Sequence, residues 1–179
     1  MKTIVLLCGS NDVGKTNTLK KLFSVSLVGR LKPMQLLERV LNGKKIYAVS
    51  LSSPQELSDF CVVDEVKVNI EKRIQKCELA SEGQDYILIM PFGIYEGKGE
   101  HKGQLNERCV LEPLEWLRSL GFRVASVYLR KEKARLLSLI DLLMKKVTST
   151  VIESQKNNYD RQARELEEFI KKLWLSCQG

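Results

Sequence analysis

The sequence predicts an α/β fold: a three-layer sandwich in which helices cover both faces of a mostly parallel sheet of four or five strands. Two observations predict it. Apolar, β-branched runs without polar alternation recur at residues 3–8, 46–51, 86–90 and 122–129, as in strands buried on both faces. Between and after them, apolar residues return at helical spacing. Right-handed crossovers in such a sheet gather the functional loops at the carboxyl ends of the strands. With 179 residues, the chain is one domain's worth of sequence.

The first strand, 3–8, runs into a glycine-bounded turn, and a helix is expected from Gly14 with Leu19, Leu22 and Phe23 on one face. A second helix is expected over 33–41, stopped by Asn42-Gly43. After the strand at 46–51 comes a helix start, with Ser53 as N-cap, Pro54 at the first helical position and Glu56 three residues after the cap. Val66, Ile70, Ile74 and Cys77 mark a long helix that ends near Gly83. The third strand, 86–90, is ended by Pro91. Residues 93–105 carry Gly93, Gly97, Gly99 and Gly103 and few apolar residues, as a functional lid or binding loop does, or equally a disordered excursion. Val110, Leu111, Leu114, Leu117 and Leu120 form the next helix face, stopped at Gly121 and followed by the strand at 122–129. Leu136, Leu137, Ile140, Leu143, Met144 and Val147 define one amphipathic helix, and Leu166, Phe169, Ile170 and Leu173 another. Periodicity leaves 147–152 open between a fifth strand and a continuation of the helix. The expected organisation is a single domain over 1–179, with 93–105 a mobile loop and 130–179 a helical C-terminal part.

Apolar residues make up 44% of the chain and charged residues 28%, which supports a real core and excludes a disordered chain. The net charge of +7 suits an anionic partner, a nucleotide or another phosphorylated molecule. Nucleic acid fits the charge as well, although aromatic residues do not interleave with basic ones as in a single-strand groove. No apolar run approaches the roughly 20 residues that a membrane-spanning helix needs. The apolar start around Ile4–Leu7 is too short for an export signal, and Leu7 is not the small residue a cleavage site requires, so a cytoplasmic protein is expected. Cys8, Cys61, Cys77, Cys109 and Cys177 are scattered without a CxxC pair, and His101 is the one histidine. A zinc site therefore has almost no ligands, and the cysteines read as reduced packing residues. Trp116 and Trp174 stand beside leucines at helical spacing and read as packing residues too.

Chemistry concentrates at the end of the first strand. Gly9-Ser10-Asn11-Asp12-Val13-Gly14-Lys15-Thr16 matches G-x-x-x-x-G-K-S/T in full. Gly9 lets the chain turn off the strand without a Cβ clash, and Gly14 lets backbone amides approach phosphate oxygens closely. Successive N–H groups would wrap an anion at the N-terminus of the following helix, where the dipole favours negative charge. Lys15 adds a full charge able to reach β- and γ-phosphates. Thr16 offers a hydroxyl to a Mg²⁺ ion bridging those phosphates.

These residues resemble the Walker A region of P-loop NTPases, and the size and order of the chain are most similar to the small P-loop kinases. The resemblance implies a five-stranded parallel core and transfer of the γ-phosphoryl group of ATP, or another nucleoside triphosphate, with Mg²⁺ to a small acceptor. It implies a nucleotide cradle at Gly9, Ser10, Asn11, Asp12, Val13, Gly14, Lys15, Thr16 and Asn17, with Thr16 as metal ligand and Lys15, Asp12 and Arg130 as catalytic candidates.

The chain departs from the family in one respect. Many P-loop NTPases carry an Asp at the end of a buried strand, whereas here the third strand ends in Met90-Pro91-Phe92-Gly93, with Asp85 at its opposite end. Asp12, Glu56, Asp59, Asp64 and Glu96 remain as candidate acids. Asp12 would either touch an acceptor or a metal-bound water, or cap the loop by bonding its amides. Arg130-Lys131-Glu132-Lys133-Ala134-Arg135 follows the fourth strand and suits a basic lid that shields charge on a moving phosphoryl group, or else the solvated first turn of a helix. Arg161 and Arg164, beside Glu165, Glu167 and Glu168, read as ordinary helix-surface ion pairs. The alternative function is an NTPase or nucleotide-switch module acting on a protein or nucleic-acid partner, though no N-K-x-D guanine-reading motif is present.

Overall fold

A computed structural model describes residues 2–10, 13–28, 34–50, 52–55, 62–94, 107–130, 137–154 and 158–176, at 137–140 the backbone only. In chain order the elements are β1 (Lys2–Gly9), α1 (Lys15–Leu22), β2 (Leu36–Leu41), β3 (Lys44–Val49), α2 (Val63–Ser81), β4 (Tyr86–Gly93), α3 (Arg108–Ser119), β5 (Arg123–Arg130), α4 (Leu137–Lys146), β6 (Thr148–Glu153) and α5 (Tyr159–Leu175). The strands form one sheet in the order β2-β3-β4-β1-β5-β6, six strands where four or five were expected. Every neighbouring pair is parallel except the β2–β3 hairpin.

Because side chains alternate across a strand, β1 sends Ile4, Leu6 and Cys8 to one face and Val5 and Leu7 to the other. The first face packs on Val66, Ile70, Ile74 and Cys77 of α2, on α3 and on Leu143 of α4. The second packs on Leu19 and Leu22 of α1 and on Leu166, Ile170 and Leu173 of α5. These are the two cores of a three-layer sandwich. From β1 the chain runs by α1 to the β2–β3 hairpin on one side, and from β5 by α4 to β6 on the other, so the connections diverge and the strand order reverses between β1 and β5. A crevice at such a reversal, at the carboxyl edge, is where open α/β sheets take ligands.

Several elements differ from expectation. Residues 36–41 are a strand, not the end of a helix: Leu37 and Leu41 are buried while Glu38 and Val40 are exposed. A separation of four places residues on one face of a helix and of a strand alike. Asn42 and Gly43, with φ of 50° and 73°, form the two-residue hairpin turn that settles the choice, and Leu36 pairs with Val49. Residues 147–152, open between two forms, fall almost wholly in β6, so the C-terminal part supplies a sheet strand as well as two helices. In α4, Leu143 is buried as its periodicity predicts, but Met144 is 45% exposed. Residues 95–105 of the expected mobile loop lie outside the described residues.

Ser53 is not the cap of α2. α2 begins only at Val63, with Val62 at its cap, and Ser53 and Gln55 are instead buried under the end of β4. Gln55 Oε1 and Ser53 Oγ both accept from the Gly93 N–H, at 2.6 and 3.1 Å. That arrangement also explains why Pro91 fails to end β4. N–H directions alternate along a strand, so residue 91 faces the same side as Gly93, and β3 pairs with β4 only as far as Leu88. No ladder partner is lost there, and β4 runs on beside β1 with Leu7 opposite Pro91. A second proline, Pro113, lies inside α3 and cannot donate to the Cys109 carbonyl. Gln55 Nε2 donates to that carbonyl instead, at 3.2 Å.

Cys8 and Cys77 are free and buried, as packing residues should be. Cys109 departs from that expectation, because it is disulfide-bonded. Trp116 and Trp174 pack as expected against the two cores, with the Lys44 ammonium 5.2 Å from the centre of the Trp174 ring.

Candidate functional site

The turn that leaves β1 is built by close approach. A Cβ on Gly9 would lie 2.6 Å from Val13 Cγ2 and 3.1 Å from the Leu129 carbonyl of β5, so only glycine fits without displacement. Gly9 also stands opposite Gly93, and its carbonyl accepts from the Ile94 N–H at 3.0 Å. The turn is thus pinned on its β4 side by a backbone hydrogen bond and on its β5 side by contact.

Gly14 takes the left-handed conformation, φ 86° and ψ 17°, at the cap of α1. That conformation disfavours any side chain, and the Tyr159 ring of α5 leaves no room for one, since a Cβ would lie 2.5 Å from its Cε1. The Gly14 carbonyl accepts the first helical bond, from Thr18 N–H at 2.8 Å. Gly14, at the cap, has no side chain to offer the helix start, and no acid stands in the first turn of α1. A helix start of this kind is suited to an anion.

Lys15, only 8% exposed, folds back over the turn. Its ammonium donates to the carbonyls of Gly9 and Ser10, both at 2.7 Å. Beneath it, burial pushes the Cys8 thiol up to about 12, an effect the Lys15 charge only partly offsets, so Cys8 stays protonated and is no nucleophile. Thr16 is exposed and Asn17 half-buried in the first turn of α1, while Ser10 is half-buried and Val13 buried. Asn11 and Asp12 lie outside the described residues.

A third support comes from the junction of β6 and α5. Ser154 Oγ donates to the Val13 carbonyl at 2.8 Å and accepts from Gln162 Nε2 at 3.3 Å. Thr18 Oγ1 donates to Gln162 Oε1 at 2.6 Å. Gln162 is 1% exposed and Thr18 fully buried. Sequence reasoning missed Ser154, Tyr159 and Gln162, since nothing in a single chain shows that a helix 144 positions away returns to the turn.

Arg130, at the carboxyl end of β5, stands on the same edge as the turn. It is exposed, its Nη1 lies 3.7 Å from Glu153 Oε1, and its carbonyl accepts from Ser154 N–H. Glu153, the register partner of Arg130 at the end of β6, is a carboxylate that sequence reasoning did not single out, because 147–152 had no settled form. Asp64 is exposed in the first turn of α2. Glu56, Asp59, Glu96 and residues 131–135 lie outside the described residues. Arg161 pairs with Glu165 at 2.6 Å, an exposed i,i+4 ion pair as expected.

Neither a protein-family model nor a curated sequence matches the chain. Among solved structures, it is similar to a de novo designed P-loop-fold protein determined by solution NMR, with a TM-score of 0.51 and 17% identity over 98% of this chain and 96% of that one. That likeness shows the fold alone: an α/β sandwich of the P-loop type. Looser likenesses are to a second de novo designed protein (TM-score 0.47, 15% identity, 94% of this chain and 90% of that one) and to the FeoB G-domain from Methanococcus jannaschii (TM-score 0.43, 16% identity, 95% and 96%). No helix among the described residues is long and apolar enough to cross a membrane.

The donor set bears on a metal. No group of three or more His, Cys, Asp or Glu side chains among the described residues could hold an ion. Mg²⁺ characteristically keeps several waters and takes one or two protein ligands together with substrate phosphates. The exposed Thr16 fits an ion of that sort, arriving with a phosphorylated ligand, and the described residues form no cage for a resident one.

Proposed function

We propose that this chain binds a nucleoside triphosphate, ATP with Mg²⁺, and transfers its terminal phosphoryl group to a small acceptor. The observation that carries the reading is the seating of the Gly9–Thr16 motif: a glycine turn at the strand-order reversal, an αL Gly14 at the start of α1, and Lys15 folded over the turn. In this reading Gly9, Ser10, Asn11, Asp12, Val13, Gly14, Lys15, Thr16 and Asn17 cradle the phosphates. The Lys15 ammonium turns from the carbonyls of Gly9 and Ser10 to the β- and γ-phosphates, exchanging neutral acceptors for charged ones, which form stronger hydrogen bonds. Thr16 would hold the metal, which when bound would supply neutralisation of charge on the phosphate oxygens.

In this reading Arg130, exposed at the carboxyl end of β5, shields charge on the moving phosphoryl group. Its exposed pairing with Glu153 contributes on the order of 0–1 kcal/mol, so releasing it costs little. Asp12 is the acid nearest in sequence to the phosphates and would contact the acceptor. The acceptor's oxygen, or the nitrogen of an amine, bonds to the γ-phosphorus and gives up its proton to solvent as the bond from that phosphorus to the β,γ-bridging oxygen breaks, leaving the nucleoside diphosphate. The cytoplasm, where ATP is plentiful, is the setting we assign.

A second reading, an NTPase or nucleotide-switch module acting on a partner, is favoured by the carboxyl end of β4, which presents Gly93 where many relatives place an acid. Steady-state ADP formation across a panel of small alcohols, amines, carboxylates and nucleosides separates the two. Phosphoryl transfer predicts Mg²⁺-dependent ADP formation accelerated by at least one acceptor and abolished in Lys15→Ala. Turnover indifferent to every acceptor would overturn it in favour of the second reading.

A further inference from the structure

We propose that Ser154 and Gln162 are positioning residues for the phosphate loop: they fix the Val13–Gly14 peptide so that the Gly14 N–H points at a bound phosphate. The inference rests on the reading that this loop grips phosphate, and adds to it residues far outside the motif. A trans peptide is planar, with its C=O and N–H in opposite directions, and no cis peptide occurs among the described residues. Ser154 Oγ, by donating to the Val13 carbonyl at 2.8 Å, therefore aims the Gly14 N–H away from the β6–α5 junction.

Gln162 completes the device from a buried position. Its amide donates to Ser154 Oγ at 3.3 Å, which leaves the serine proton directed at Val13. Its oxygen accepts from Thr18 Oγ1 at 2.6 Å, and Thr18 N–H in turn holds the Gly14 carbonyl at 2.8 Å. Both carbonyls that flank the αL residue are thus anchored, one through α5 and one through α1. Glycine in that conformation has the largest backbone freedom to lose, so a loop at Gly14 without these anchors would spend more of its time with the amide misdirected.

The test uses the full chain with two probes, ATP with Mg²⁺ and inorganic tripolyphosphate, titrated calorimetrically into the natural protein, Ser154→Ala, Ser154→Thr and Gln162→Met. Losing the anchoring hydrogen bond in Ser154→Ala, or the two bonds by which Gln162 orients the serine and Thr18 in Gln162→Met, should weaken both probes by about tenfold. Ser154→Thr, which keeps the hydroxyl, should bind as the natural protein does. Without ligand, amide exchange at Gly14 and Lys15 should quicken in Ser154→Ala and return to the natural rate in Ser154→Thr, while the melting temperature stays close to that of the natural protein. Unchanged affinity and exchange in Ser154→Ala, or a threonine variant as weak as the alanine one, would overturn the positioning role and leave phosphate binding standing. Failure of the natural protein to bind either probe would instead remove the phosphate-binding reading, and this inference with it.

Discussion

At Gly14 two separate demands fall on one residue: a φ of 86° and a ring carbon of Tyr159 2.5 Å from where a Cβ would be. Gly14→Ala should therefore destabilise the protein by about 1–3 kcal/mol. Adding Tyr159→Ala should recover the part due to the clash but not the part due to the backbone, as urea unfolding of the single and double variants would read. A double variant as unstable as Gly14→Ala would mean that the ring yields freely.

Buried thiols set a second prediction at this scale. Burial raises Cys8 and Cys77 from 9.0 to about 12 each, and Tyr86 upward in the same direction. Each thiol holds its proton more tightly folded than unfolded. Its contribution to stability is complete below pH 9 and is lost as pH rises from 9 towards 12, at on the order of 1 kcal/mol per pH unit per thiol. Urea midpoints should fall across pH 9–11, and less steeply in Cys8→Ala; equal slopes would show that Cys8 titrates alike in both states.

Elements show where local sequence suffices and where it does not. The apolar strands at 3–8, 86–90 and 122–129 were legible because burial on both faces leaves no polar alternation. The motif at 9–16 was legible because its residues are consecutive. The hairpin strand Leu36–Leu41 was not, since Leu37 and Leu41 satisfy two periodicities and only pairing with β3 decides between them. Ser53 and Pro54 carried a valid helix-start pattern, yet the Gly93 N–H, distant in sequence, claims the serine hydroxyl. The same contact system joins Gln55 to Pro113 through the Cys109 carbonyl. Gln55→Ala should cost about 1–3 kcal/mol, the penalty for stranding buried polar groups. In a Pro113→Ala background the cost should be smaller, because residue 113 then donates to Cys109 itself. A double-mutant cycle in urea reads that coupling, and additivity would contradict it.

Across the whole molecule, the sheet order gathers the candidate site on one edge. β1 lies between β4 and β5, so its terminal turn is flanked by Gly93 and Ile94 on one side and Leu129 and Arg130 on the other. A helix from the far end of the chain, α5, then closes over it through Tyr159 and Gln162. Strand alternation and the motif foretold that edge. The order of strands and the return of α5 are long-range facts that no local pattern encodes.

The most direct test of the account is calorimetric titration of ATP with Mg²⁺ into the natural protein and into Lys15→Ala, with thermal melting to show that both are folded. We predict one-to-one binding by the natural protein and an affinity at least about 100-fold lower in the variant, the loss expected when charge-assisted hydrogen bonds to phosphate are removed. Equal affinity in the two proteins, or no heat from the natural protein with any nucleoside triphosphate, would contradict it.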